Sequence, residues 1–116
     1  MDAEREIVDY LTSKGIGASA YYDVPPNRPD SFVVVELSGG AESDLVVRTP
    51  LIDFQCWAKT RRDAALLASS LRSALGDMPA EVANVFHVNV TSTYRDRDID
   101  SGTPRYHVVA EITFNE

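Results

Sequence analysis

The chain has 116 residues, of which 44% are hydrophobic and 25% charged, so we expect one folded domain, residues 1–116, with its own hydrophobic core. Eighteen acidic against 11 basic residues leave a net charge of −7, which argues against a surface built to hold nucleic-acid phosphates. The single cysteine, Cys56, excludes an internal disulfide and a structural zinc site made of cysteines.

The first predicted element is a helix from Asp2 to about Lys14, with Asp2 as its N-cap and Gly15 at its end. Its short apolar stripe consists of Ile7, Val8 and Leu11. The charged start, MDAEREIVDY, lacks the apolar stretch of a signal peptide, and no apolar run in the chain approaches the roughly 20 residues that cross a bilayer. We therefore expect a protein made in the cytoplasm, with no membrane partner.

A short strand is predicted at Ala18–Tyr22, followed by an extended loop at 23–31 that contains three prolines. The next strand is predicted at 32–38. Its inward residues are Val33, Val35 and Leu37, and its outward residues are Glu36 and Ser38. The pair Gly39-Gly40 predicts a turn that runs to about Asp44.

The following strand is predicted to begin at Leu45–Arg48, and Pro50 predicts an edge position or a bulge because proline cannot donate to a strand ladder. Residues 51–58 alternate clearly. Ile52, Phe54 and Cys56 face one way, whereas Asp53, Gln55 and Trp57 face the other. This parity makes Cys56 a buried small apolar side chain rather than a nucleophile.

The clearest predicted helix covers 60–76, with Thr60 and Asp63 resembling a capping box, Gly76 at its end and Pro79 beyond it. Its core-facing stripe consists of Ala64, Leu67, Ala68, Leu71 and Leu75. Because this helix lies between strands 51–58 and 85–94, it could be a crossover that leaves those two strands parallel.

The last third predicts a long hairpin with a charged, solvated tip at 95–102. Its first strand is Val85–Tyr94, with Phe86, Val88 and Val90 inward and His87, Asn89 and Thr91 outward. Its second strand is Tyr106–Phe114, with Tyr106, Val108, Ala110, Ile112 and Phe114 inward. The whole order favours an α+β domain with a mainly antiparallel or mixed sheet, two helices on one face and a long C-terminal β-hairpin.

Motifs for chemistry are missing from the sequence, and we expect no catalytic residue, metal site or cofactor. No GxSxG motif occurs. His87 and His107 share outward parity, but a hairpin closed around 98–100 would place His107 near Thr91 and His87 near Glu111, so the two imidazoles would not meet. The carboxylates of 96–100 lack the central Gly and bidentate Glu of a calcium loop.

Charge is unevenly distributed along this acidic chain. Four basic residues gather at the second helix: Lys59, Arg61, Arg62 and Arg72. They form either a solvated helix face or a contact with acidic loops of a neighbouring subunit, such as Glu42–Asp44 or Asp96–Asp100. Trp57 has outward parity beside them, which places it under a helix or in an interface.

Three stretches resemble the tail terminator proteins of long-tailed bacteriophages, the lambda-like minor tail proteins that complete the tail. They are TPLIDFQCWAKTRRDAALLASSLRSAL (49–75), the proline-interrupted loop with FVVVEL (25–37), and YRDRDIDSGTPRYHVVAEITF (94–114), with its D-x-G-x-x-R-Y run. The opening I-V-x-Y-L of the first helix also fits, so the resemblance covers essentially the full chain.

The resemblance implies a small structural virion subunit that forms a ring, commonly a hexamer, at the head-proximal end of the tail. Such a ring stops polymerisation of the tail-tube protein and presents a surface to the head–tail connector. DNA passes through it without specific binding, which suits an acidic wall that repels phosphate. The expected subunit or tail-tube contacts are Glu42, Asp44, Trp57, Lys59, Arg61, Arg62, Asp96, Arg97, Asp98, Asp100 and Arg105.

The sequence leaves two other hypotheses about function open. A head–tail connector or stopper has a similar size and ring habit, and a small α+β enzyme or ligand-binding domain would need a pocket lined by converging polar groups. The hypothesis that the tip 96–100 makes assembly contacts predicts a phenotype for replacing Asp96, Asp98 and Asp100 with Ser. Folding should persist, and the joining of tails to heads should fail.

Overall fold

The computed structural model describes residues 3–42 and 47–115. Its elements are α1 (Ala3–Lys14), β1 (Ser19–Tyr21), β2 (Phe32–Glu42), β3 (Val47–Trp57), α2 (Arg61–Glu81), β4 (Val85–Arg95) and β5 (Arg105–Asn115). The strands form one sheet in the order β1-β2-β3-β5-β4, in which β1 and β2 are parallel and the other neighbours antiparallel. The predicted α+β class is confirmed. Within the described ranges, no helix has the length and hydrophobicity needed to cross a membrane.

The core lies between the sheet and the two helices, which share one face of it. Buried residues of α2 include the whole predicted stripe: Ala64, Leu67, Ala68, Leu71 and Leu75. The sheet contributes the predicted inward residues Ile52, Phe54, Cys56, Val108, Ala110, Ile112 and Phe114. Ile7 and Leu11 of α1 are buried, while Val8 only packs against the edge of this cluster. As predicted, α2 is a crossover: β3 and β4 run in the same direction, although β5 lies between them.

The helix α2 begins where the sequence predicts and ends later. The Thr60 hydroxyl accepts a hydrogen bond from the Asp63 backbone N–H at 3.1 Å, which caps the helix. The predicted stop at Gly76 is wrong, because α2 continues through Gly76 and Pro79 to Glu81. Met78 is fully buried and extends the apolar stripe by another turn, so its packing outweighs the two local helix breakers.

The predicted turn at Gly39-Gly40 is also wrong, since β2 runs on to Glu42 and pairs with β3 throughout. A bulge separates Leu37 from Gly39, whose positive φ of 139° suits glycine. Leu37, predicted to face inward, is 50% exposed. Because β1 ends opposite Val34, Leu37 lies on an unpaired stretch of the sheet edge with neighbours on one side only.

Pro50 lies in an interior strand, contrary to the edge position considered from the sequence. It pairs with Gly40 of β2 in the strand register. On its other side, the register of β3 with β5 steps from Arg48 opposite Phe114 directly to Leu51 opposite Glu111. The residue without an N–H therefore sits in a gap of the ladder, where no donor is required.

The long hairpin forms as predicted but with irregular pairing. Phe86, predicted to face the core, is 56% exposed because a register shift between Val85 and His87 turns Val85 inward instead. A second shift lies between Val90 and Ser92. Two predicted features, the N-cap at Asp2 and the strand start at Leu45, lie outside the described residues.

Candidate functional site at the base of the hairpin

The sheet face that carries no helix has a small apolar cluster of its own. Phe32, Val34 and Trp57 are buried there, and the rings of Phe32 and Trp57 stack with centroids 5.3 Å apart. Trp57 has the predicted outward parity and is only 2% exposed. It lies neither under a helix nor at the free surface of the chain.

Two arginines lie over the Trp57 ring. The guanidinium carbon of Arg28, from the loop between β1 and β2, is 5.1 Å from the ring centroid, and that of Arg105 in β5 is 5.0 Å away. Both distances fit cation–π interactions. The proline-rich loop and the hairpin are therefore fixed to the same indole ring at the end of β3.

Arg105 also connects the two strands of the hairpin. Its Nε donates to the Asp96 backbone carbonyl and its Nη2 to the Asp96 carboxylate, each at 2.9 Å, while Nη1 lies 4.0 Å from the Asp98 carboxylate. The Asp96 N–H donates back to the Arg105 carbonyl at 2.9 Å. These contacts show that Asp96 and Asp98 organise the base of the tip rather than stand free in solvent.

His107 joins this network on the same face. Its Nδ1 lies 2.9 Å from both carboxylate oxygens of Asp53, its Nε2 lies 3.1 Å from Asp96, and the Tyr94 ring stacks on it at 4.8 Å. The hydrogen bond to Asp53 raises the pKa of His107 against the opposing effect of burial. The predicted neighbour, Thr91, is wrong, because the hairpin closes further along the chain and places Tyr94 opposite His107. As predicted, the two imidazoles do not meet, but His87 lies opposite Thr113 and not near Glu111, which pairs with Asn89.

The tip beyond this base is a tight, locally bonded turn. The Asp98 carboxylate accepts hydrogen bonds from the N–H and hydroxyl of Ser101, which lower the pKa of Asp98. Arg28 donates to the Ser101 hydroxyl at 3.3 Å and so links the proline-rich loop to the tip. Ile99, at 88% exposure, and Asp100 project from this turn into solvent. The apex thus exposes the side chains of Ile99 and Asp100 on a turn that is held by hydrogen bonds.

The predicted basic residues do not form one patch. Lys59 pairs with Asp30 at 3.3 Å, and the exposed Arg62 and Arg72 lie further along α2. Arg61 and Arg97 do come together, around a cavity of about 150 Å³. That cavity is lined by Arg61, Arg95, Arg97, Pro104, Arg105 and Tyr106.

The two acidic residues expected near the β2–β3 connection are not located by the structure. Asp44 lies outside the described residues, and of Glu42 only the backbone is described. Within residues 3–42 and 47–115, no three His, Cys, Asp or Glu side chains are arranged to hold a metal ion. Burial raises the pKa of Cys56 to about 12, which makes its thiol a poor nucleophile.

Several members of the network were missed at the level of sequence. Asp53 and His107 were each predicted to face outward, but only the β3–β5 register, with Gln55 opposite His107, brings them together. Arg28 gives no local signal, since its partner Trp57 is 29 positions away. The useful signal was parity: Asp53, Trp57 and His107 all face the side of the sheet without helices.

No protein-family model matches the sequence, and no curated protein is similar enough in sequence to count as a relative. Solved structures do show the fold. The structure of the bacteriophage SPP1 gp17 protein is similar with a TM-score of 0.54 over 97% of this chain and 86% of that one, at 19% sequence identity. The chain therefore shares its fold, along nearly its whole length, with a bacteriophage protein.

Proposed function

We propose that this chain is a structural virion protein that acts as a tail terminator. Copies assemble as a ring, hexameric by analogy with the resembled family, on the end of a finished tail tube, stop its polymerisation and offer the surface for head–tail joining. The observation that carries the proposal is the fold shared with the bacteriophage SPP1 gp17 protein over 97% of this chain. The sequence resemblance to tail terminators points the same way.

The contacts at the hairpin base support an assembly role rather than catalysis. Asp96 and Asp53 engage His107, and Arg105 engages Asp96 and Trp57. Groups that a reaction would need free are used here to fix two loops against the sheet. A rigid base with a projecting apex suits a surface that must fit a neighbouring protein with little loss of conformational entropy.

The proposed ring brings unlike surfaces of identical copies together, as any closed ring of this kind requires. Its interfaces with neighbouring copies or the tail tube include Lys59, Arg61, Arg62 and Arg97, with the apex residue Asp100. Four other residues contribute indirectly, because their contacts hold the tip in place: Trp57, Arg105, Asp96 and Asp98. DNA passes through the ring without specific binding, because a chain of net charge −7 repels phosphate.

The test uses purified protein and the tail-tube subunit of the same virus. Tubes polymerise alone or with the chain present, and their lengths and ends are examined by negative-stain electron microscopy. A terminator halts elongation and adds density at one end of each tube. A head–tail stopper instead leaves tube length unchanged and binds only tubes already completed by another protein. Tubes that elongate normally with bare ends would refute the proposal.

The structure changes which tip variant is informative. Replacing Asp96 and Asp98 would break contacts with Arg105, His107 and Ser101, so a joining defect could then come from local unfolding. The sharper variant is Ile99→Ser with Asp100→Ser, since both side chains project from the turn. We expect an unchanged free energy of unfolding and impaired joining of tails to heads. Asp9→Ser, at an exposed position on α1, is the control and should leave both unchanged. Normal joining by the apex variant would exclude the tip from assembly.

A further inference from the structure

The cavity at the hairpin base, at the start of α2, is a positively charged site on an acidic protein. Among the described residues, the exposed side chains of Arg61, Arg95 and Arg97 form no hydrogen bond or ion pair. Arg105, at the back of the cavity, is already neutralised by Asp96. The remaining lining, Pro104 and Tyr106, is largely apolar. Such a site fits a carboxylate carried on an apolar stem, because arginine binds carboxylates through paired N–H donors.

A second cavity, of about 360 Å³, has the opposite character. Three carboxylates line it: Glu4 of α1, Asp23 of the proline-rich loop and Glu36 of β2. Glu4 accepts a hydrogen bond from the Leu37 N–H and Glu36 one from Gln55, and neither donor is charged. Within the described part of the chain, Asp23 is exposed and its carboxylate forms no hydrogen bond or ion pair. This surface therefore presents negative charge.

The two cavities lie toward opposite edges of the sheet, whose strand order is β1-β2-β3-β5-β4. The acidic one involves β2 and β3 and opens on the sheet face without helices, where Val34 and Gln55 point. The arginine one lies at the β4–β5 edge, where Tyr106 packs against the core on the helix side and Arg105 lies over Trp57 on the other face. One copy cannot bring its own two cavities together, whereas a second copy can present one to the other.

We infer that the arginine-lined cavity of one copy binds the acidic surface around Glu36 and Asp23 of a second copy, in a head-to-tail contact. The inference rests on the proposed ring and names the surfaces that would close it. Contact between unlike patches propagates from copy to copy and closes into a ring when the rotation allows. The complementary charges set orientation and speed of association, and salt weakens them.

Nucleic acid is the other ligand that three unpaired arginines could attract. The chain's net charge of −7 and the carboxylates of Asp96 and Asp98, which lie near Arg105 of the cavity, oppose a phosphate backbone. A phosphate-binding surface presents an extended row of basic groups. The apolar Pro104 and Tyr106 favour a protein side chain over a hydrated phosphate.

Charge reversal tests the contact. Arg97→Glu and Glu36→Arg are made singly and together, with Arg72→Glu and Asp9→Arg as controls that change the charge equally at exposed positions outside both cavities. Association is measured by analytical ultracentrifugation over a concentration series, and by capping of tail tubes, at low and high salt. We expect each single reversal to weaken association about tenfold and the double reversal to restore it, because the reversed pair again carries opposite charges.

The decisive experiment is to mix the two single variants, Arg97→Glu and Glu36→Arg. One variant carries an acidic residue at both positions, 36 and 97, and the other a basic residue at both. Each contact in the mixture can then pair opposite charges at these positions, so the mixture should associate more tightly than either variant alone. The inference is overturned if the single reversals behave like their controls, or if neither the double variant nor the mixture regains association. It is also overturned if Arg97→Glu abolishes binding of duplex DNA at physiological salt while leaving association unchanged.

The same experiment separates this inference from the proposed function. If the wild-type chain caps tubes but reversal has no effect on capping or association, the terminator role stands and the named contact fails. If tubes are not capped but self-association follows the reversal pattern, the contact stands and the terminator role fails.

Discussion

The two faces of the sheet are held together by different physical interactions. On the helix side, Phe54 of β3 and Leu71 of α2 lie among fully buried apolar side chains. On the other side, Trp57 and His107 are fixed by arginines and carboxylates from distant parts of the chain. The first face stabilises the fold through apolar burial, and the second positions the two loops that we propose to act in assembly.

This difference predicts how each face responds to damage. Loss of apolar volume should weaken the whole domain, because packing in a shared core is cooperative. Loss of a charge on the other face should release a loop while the core persists. Stability and assembly should therefore be separable by substitution.

The largest expected effect is in the core. Phe54→Ala removes a fully buried ring and should lower the free energy of unfolding by about 3–5 kcal/mol, measured by urea denaturation. Leu66→Ala, on the outer side of α2 at 55% exposure, is the control and should change it by less than about 0.5 kcal/mol. Similar losses in the two variants would contradict the placement of the core.

Trp57→Leu tests the other face and should lower the free energy of unfolding by less than Phe54→Ala does. The substitution keeps an apolar side chain but loses the stack on Phe32 and both arginine contacts, together about 2–3 kcal/mol. Limited proteolysis should cut the 22–31 loop sooner than in the wild type. Trp57→Phe, which keeps an aromatic face, should recover most of the loss. If the two variants prove equally stable, the ring contributes only apolar volume.

The two faces also differ in how far the sequence predicts them. The α2 stripe and the alternation in β3 follow from local periodicity, because a helix or strand repeats its burial every few residues. The same periodicity gave the correct outward parity of Asp53, Trp57 and His107. It could not pair them, since pairing depends on register, and two bulges in β4 shift the hairpin closure.

Local glycine and proline signals gave wrong predictions of helix and strand ends where tertiary packing was stronger. Gly76 and Pro79 are helix breakers, yet burial of Met78 carries α2 past them. Gly39-Gly40 is typical of a turn, yet it forms a bulge within a strand that β3 holds along its length. Arg28 and Arg105 contact Trp57 only in the folded chain, so no spacing rule in the sequence could have predicted these two contacts.

The pH dependence of the polar face gives a third test. Asp53 raises the pKa of His107 in the folded state, so this contribution to stability is complete below the unfolded pKa of about 6.5 and is lost as pH rises through the folded pKa. Asp53→Asn should therefore cost about 1.5–3 kcal/mol at pH 5.5, the range for hydrogen bonds to charged groups, and clearly less at pH 9.

Urea unfolding at the two pH values measures this, and NMR titration of His107 should show a lowered pKa in the variant. Asp96 and Arg105 also face the imidazole, and Arg105 opposes its charge. Asp9→Asn, at an exposed position on α1, should show no such pH dependence. A penalty that is equal at both pH values would contradict a contribution of Asp53 that depends on the charge of His107.

The smallest expected effect lies where the two faces meet, at the start of α2. Thr60→Ala removes the hydroxyl that accepts from the Asp63 N–H and should cost about 1 kcal/mol, whereas Thr60→Ser should be nearly neutral. Thr60 shares no hydrogen-bond partner with Asp53, so the penalties of Thr60→Ala and Asp53→Asn should add within about 0.5 kcal/mol in the double variant. A larger coupling at pH 5.5 would show that the polar network helps to hold the helix start, and the two faces would then be one cooperative unit.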